Sequence, residues 1–203
     1  LGQVSVLTYG EIAEDLLLET ANYGAEKVLV CRTLKERNEQ VLSKLIVKAV
    51  NETNAEYVVL SQDQTGKAIG PRVAANLEAG HVSGAISIPD LSDGCTVKTN
   101  VFSGKAIAYV KVHSEKKVIS ILPNSIPPKE DKVEASIIEF NEDLGKGKIK
   151  VKELKPLGDG VPLPEAELVV SAGRGLKGPE NWGIVEDLAT SLGATTACSR
   201  PVA

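Results

Sequence analysis

The chain has 203 residues, 42% hydrophobic and 25% charged, the profile of an ordinary globular protein long enough to bury a core without metal or disulfide support. A net charge of −4 and the lack of any Lys/Arg block exclude nucleic-acid binding. The longest apolar runs are strand-sized, far short of the roughly 20 residues of a membrane helix. Aromatic residues make up only 3%, so the expected core is Val, Ile, Leu and Ala, which suits a parallel sheet covered by helices. The first residues show no secretory signal pattern, and with no methionine in the chain, Leu1 is not expected to be the translation start. Cys31, Cys95 and Cys198 form no C-x-x-C pair, and with only His81 and His113 beside them a Cys/His metal set is unsupported. They read as strand or core cysteines in a reducing compartment.

In chain order, Val4–Thr8 reads as a strand, and Ala13, Leu16, Leu17 and Ala21 fall on one helical face that Gly24 ends. Lys27–Cys31 is a second strand. Val41, Leu42, Leu45, Ile46, Ala49 and Val50 stripe a longer helix. Glu56–Ser61 is a third strand, followed by a stripe at Ile69, Val73 and Leu77. Strands separated by helices of this length imply right-handed crossovers and a parallel sheet. After Gly80 the pattern changes: 81–88, 96–102, 106–113 and 117–122 are strand-like with only turn signals between them, which predicts an antiparallel meander. Another strand is expected over Val133–Phe140. Residues 141–164 have linker composition, and a domain boundary is expected near Pro162. Beyond it come a strand at 167–171, a helix striped by Ile184, Val185, Leu188 and Leu192, and a strand over Ala194–Ser199. The organisation expected is an α/β domain over 1–161 and the beginning of a second over 162–203.

Gly173-Arg174-Gly175-Leu176-Lys177-Gly178 matches G-x-G-x-x-G between a strand and a helix. The glycines would let the backbone turn close to a ligand, and a helix N-terminus would offer free N–H groups to an anion. A simple dinucleotide fingerprint wants an acidic residue at the end of the next strand, and here that strand ends in Ser199-Arg200, which disfavours NAD. Arg174, Ser199 and Arg200 would meet at the carboxyl edge of parallel strands, where ligands bind. They suit phosphates or an electron-rich ring whose reduced form is anionic. Gly66-Lys67 lacks the rest of a P-loop and reads as a helix N-terminus; His81 and His113 read as strand-end or surface residues.

The stretch from Val169-Val-Ser-Ala-Gly-Arg-Gly-Leu-Lys through Glu180-Asn181, Asp187-Leu-Ala, Gly193-Ala194 and Ser199-Arg-Pro-Val-Ala resembles the opening of the FAD domain of electron transfer flavoprotein α subunits. Upstream, Gly66-Lys67, Pro71-Arg-Val-Ala-Ala-Asn-Leu, His81-Val-Ser-Gly and Phe102-Ser-Gly-Lys-Ala are similar to motifs of the family's first domain. The resemblance covers nearly the whole chain. It implies an α/β fold: a parallel sheet with helices on both faces and an antiparallel strand extension, then the start of a flavodoxin-like FAD domain. It implies an electron carrier that pairs with a β subunit, the first domain docking that partner. The carrier would take electrons from dehydrogenases of the acyl-CoA dehydrogenase type and pass them to a downstream acceptor, in the bacterial cytoplasm or the mitochondrial matrix. In the family, the residues matching Arg174 and Ser199 contact FAD, and that matching Arg200 lies against the flavin and favours its reduced, negatively charged form.

Three departures stand out. The family's first strand and helix would lie before Leu1, and Leu122 stands where many members carry arginine. The Gln-x-Gly-Gln-Thr-Gly and Gly-x-Ser-Gly stretches would lie after Ala203, so this chain alone is not expected to retain FAD. The competing readings are a nucleotide-binding α/β module without redox activity and an assembly scaffold for a partner subunit.

Overall fold

The strand β2 (Ala25–Cys31) shows why the first part of the chain builds a parallel sheet. Its side chains alternate between two cores: Val28 and Val30 pack with Leu17 of α1 (Glu14–Glu19), while Leu29 and Cys31 join residues of α2 (Glu39–Thr53). A strand buried on both faces must be almost continuously apolar and needs cover on both sides. β2 pairs in parallel with β1 (Val4–Tyr9) and with β8 (Ser136–Glu139), giving the order β1-β2-β8 with helices on both faces. The structure, a computed structural model, describes residues 2–149, 152–153, 161 and 163–202. The boundary expected near Pro162 lies outside them.

All six residues of the predicted α2 stripe are buried. The helix starts where Asn38 accepts from the N–H groups of Gln40 and Val41, and it ends at Asn54 in the left-handed conformation. Its buried face is continuous with α3 (Gln64–Leu77), and one core joins β2 to Val58 and Val118 of the second sheet.

That second sheet runs β3-β7-β4-β5-β6, with β3 at Tyr57–Ser61, β4 at Gly80–Ala85, β5 at Cys95–Val101, β6 at Ala106–Val112 and β7 at Lys117–Ile121. Here the predicted meander is corrected. Only β4-β5 and β5-β6 are antiparallel; β7 returns to lie parallel between β3 and β4. The cause is its composition: Val118 is buried toward α3 and Ile119 toward the opposite core of Val82, Ala85, Cys95, Val97 and Val112. A run apolar on both faces belongs in the middle of a sheet, not at the end of a hairpin series. The parallel strands thus divide between two sheets within one compact unit, Leu1–Lys152, and a second unit spans Glu153–Ala203.

The junction of β3 and α3 depends on Gly66. Asp63 caps the helix by accepting from the Gly66 N–H at 2.7 Å, and a methyl group at 66 would overlap the Ser61 backbone carbonyl. Gly66→Ala gains helix propensity of up to ~1 kcal/mol, but it meets backbone that cannot rotate away. The net expected result is a loss of about 2 kcal/mol, measured as a lowered urea midpoint at unchanged slope.

His81 stands at the start of β4, a strand end as read, and is half-buried, with Nε2 3.2 Å from the hydroxyl of the fully buried Ser120. Burial pushes its imidazole below the ordinary value. The unfolded chain therefore takes up this proton at about pH 6.5 and the folded chain only at lower pH. Stability from this group is complete above that pH and declines as pH falls through it. Urea midpoints of the parent should drop between about pH 6.5 and 5, and His81→Gln should flatten that part of the profile. Equal slopes would remove His81 as the cause.

Candidate functional site

In the second unit β9 (Val169–Ala172) and β10 (Thr195–Cys198) pair in parallel, Ala172 opposite Cys198, with α4 (Gly183–Leu192) between them in sequence. The α4 stripe needs correction. Val185 and Ala189 are buried, but Ile184, Leu188 and Leu192 are exposed. Two strands make a sheet too narrow to cover more than one row of a helix among the described residues.

The glycine loop also differs from expectation, since it does not turn straight into α4. Two single turns of 3-10 helix intervene, Arg174–Leu176 and Pro179–Asn181. Within them the N–H groups of Leu176, Lys177 and Gly178 donate to Gly173, Arg174 and Leu176. These three backbone donors are used inside the loop, whose basic side chains are Arg174 and Lys177. Lys177 carries φ +69° between Leu176 and Gly178, whose 2.9 Å N–H···O=C contact closes a three-residue turn around it.

At the carboxyl edge of β9 and β10 lies a cavity of about 570 Å³, walled by Arg174, Lys177, Trp182, Cys198, Pro201 and Val202 among others. Arg174 is thus where the sequence put it. Ser199 and Arg200 are exposed beside the cavity but do not line it. The Ser199 N–H donates to the Ala172 carbonyl at 2.9 Å, extending the strand pair by one rung, and the Val202 N–H donates back to the Ser199 carbonyl at 2.8 Å. The strand end therefore holds all three residues around one edge without aiming the last two inward. Among the described residues, no ion pair involves Arg174, Lys177 or Arg200. Sequence reasoning missed Lys177, Trp182 and Cys198. The first two had a readable signal, since Lys177 stands inside the glycine motif and Trp182, the only tryptophan, follows it closely.

Among the described residues, the first unit shows no comparable glycine loop at a strand edge. Gly66-Lys67 is the first turn of α3, as read, and no group of three metal-ligating side chains occurs among the described residues. Cys31 and Cys95 are buried and Cys198 half-buried; all three are free and each stands at a strand end.

Fold and site together define a two-unit α/β protein with a cationic glycine loop at the carboxyl edge of parallel strands. The family model for the electron transfer flavoprotein domain matches residues 1–153, and that for the electron transfer flavoprotein FAD-binding domain matches 162–203. Relatives include "Electron transfer flavoprotein subunit alpha" of Bacillus subtilis (strain 168), 29% identical over 98% of this chain and 63% of the relative. The protein of the same name from Syntrophomonas wolfei is 30% identical over 98% and 64%. "Probable electron transfer flavoprotein subunit alpha, mitochondrial" of Caenorhabditis elegans is 26% identical over 98% and 60%. The chain belongs to the electron transfer flavoprotein family, among its α subunits. It spans 60–64% of the length of these relatives.

Proposed function

We propose that this chain serves an FAD-dependent electron carrier, as the part of an α subunit that meets a β subunit and opens the cofactor site. One observation carries the FAD reading. Gly173 and Gly175 have neither a positive φ nor any protein atom within 4 Å of where a side chain would begin. Neither backbone strain nor packing explains glycine there, whereas close approach of a ligand to the loop does. The cavity volume of about 570 Å³ suits part of a dinucleotide.

Bound FAD would supply the redox chemistry, accepting and releasing electrons on its ring. Arg174 would neutralise phosphate charge at the loop, and the Ser199 hydroxyl would donate to the cofactor. A guanidinium near the ring, as Arg200 would supply, would favour whichever state is more negative. No general acid, base or nucleophile is called for. The donors fitting this reading are dehydrogenases of the acyl-CoA dehydrogenase type. The setting is the bacterial cytoplasm or the mitochondrial matrix, in keeping with the free cysteines. No helix among the described residues is long and apolar enough to cross a membrane.

The β5-β6 hairpin supports docking of the β subunit. Phe102, Ile107 and Tyr109 are 81%, 54% and 66% exposed on one edge of the second sheet. An edge strand with unpaired backbone groups and exposed apolar side chains is a natural seat for another protein. Tyr109→Ser with Phe102→Ser should weaken co-purification of complete α with β, without lowering α stability. Undiminished association would place the interface elsewhere.

The complete α–β pair should carry a flavin absorbance band, and the 203-residue chain alone should be colourless. In that pair Arg200→Ala should lower the reduction potential by on the order of tens of millivolts, and Arg200→Lys should recover part of the loss. Arg174→Ala should chiefly loosen FAD. Spectroelectrochemical titration decides between these roles; an unchanged potential in Arg200→Ala would leave that arginine only a positioning part.

A further inference from the structure

We infer that Lys177 is a second cation of the cofactor site, joining Arg174 on the diphosphate of the bound dinucleotide while Trp182 forms an apolar wall beside them. The inference rests on the FAD reading above and extends it to residues that reading does not use. Both cations line the same cavity, and no carboxylate of the described residues lines it. Glu180, the nearest acid in the loop, folds against Gly178 instead. Two adjacent positive charges without a counter-ion repel each other, and a dianionic group between them removes the repulsion. Of the loop's own N–H groups, those of Leu176, Lys177 and Gly178 are already bonded within the loop, beside the two basic side chains.

The backbone points the same way. Lys177 sits at φ +69°, ψ −38°, a conformation that glycine adopts far more easily, in a loop that already places glycine at 173, 175 and 178. Strain of this kind, held at a cavity wall, marks a position kept for its side chain rather than for the turn. Trp182, half-buried and lining the same cavity as Pro201 and Val202, supplies a flat apolar surface with one N–H donor, which suits the sugar or ring that adjoins a diphosphate.

The test uses the complete α–β heterodimer, with FAD affinity read from flavin fluorescence on dilution and salt titration. Lys177→Gln and Lys177→Gly should each loosen FAD about tenfold, with a shallower dependence on salt than the parent. Lys177→Arg should stay within about threefold of the parent. ADP, which carries the diphosphate without the flavin, should compete about tenfold less well in Lys177→Gln. Lys177→Gly relieves the backbone strain, so parent-like affinity in that variant would show that the turn alone matters and overturn the proposal. A loss for FAD without a loss for ADP would put the ammonium on the ring and overturn the diphosphate assignment. Parent-like FAD affinity in Lys177→Gln would overturn the proposal while leaving the FAD reading intact; a parent heterodimer with no flavin at all would overturn both.

Discussion

Burial on both faces of β2 and β7 is the constraint from which the first unit follows. Each strand sends alternate residues into different cores, Val28 and Val30 against Leu29 and Cys31 in one sheet, Val118 against Ile119 in the other. Such strands cannot stand at an edge, so each is flanked on both sides by others. They also cannot face water, so α1, α2 and α3 or the neighbouring strands must cover them. The single core that runs from Leu29 through Leu45 to Val118 lets two separate sheets behave as one unit.

In the second unit the work is divided differently. The β9-β10 pair supplies only direction: it brings a glycine loop and a strand-end turn to the same edge. The loop's basic side chains, Arg174 and Lys177, line the cavity at that edge.

Periodicity revealed what local contacts decide. The α2 stripe was fully legible because Val41 through Val50 repeat at helical spacing against a wide sheet, and the β2 strand was legible as an apolar run. Strand order was not, because the composition of Lys117–Ile121 calls for burial on both faces without naming the strands that flank it. Ile184, Leu188 and Leu192 repeat as convincingly as the α2 residues, yet the two strands present among the described residues cannot reach them. At the site, Arg174 was legible from its motif, whereas the cavity wall at Trp182 and Cys198 depends on how the 3-10 turns fold the loop back. That folding leaves no sequence signature beyond Pro179.

The placement of β7 between β3 and β4 also sets an order of events during synthesis. β3 and β4 are made first and follow each other closely along the chain, yet they do not pair with one another. Each must keep an unpaired side open until Lys117–Ile121 has left the ribosome, after the whole β5-β6 hairpin. Closure of this sheet is therefore a late, non-local event, as is the arrival of β8 beside β2 from more than a hundred residues away. Until then the nascent chain exposes two apolar strand edges of matching direction, which makes this interval its period of greatest exposure to misassembly and to chaperones.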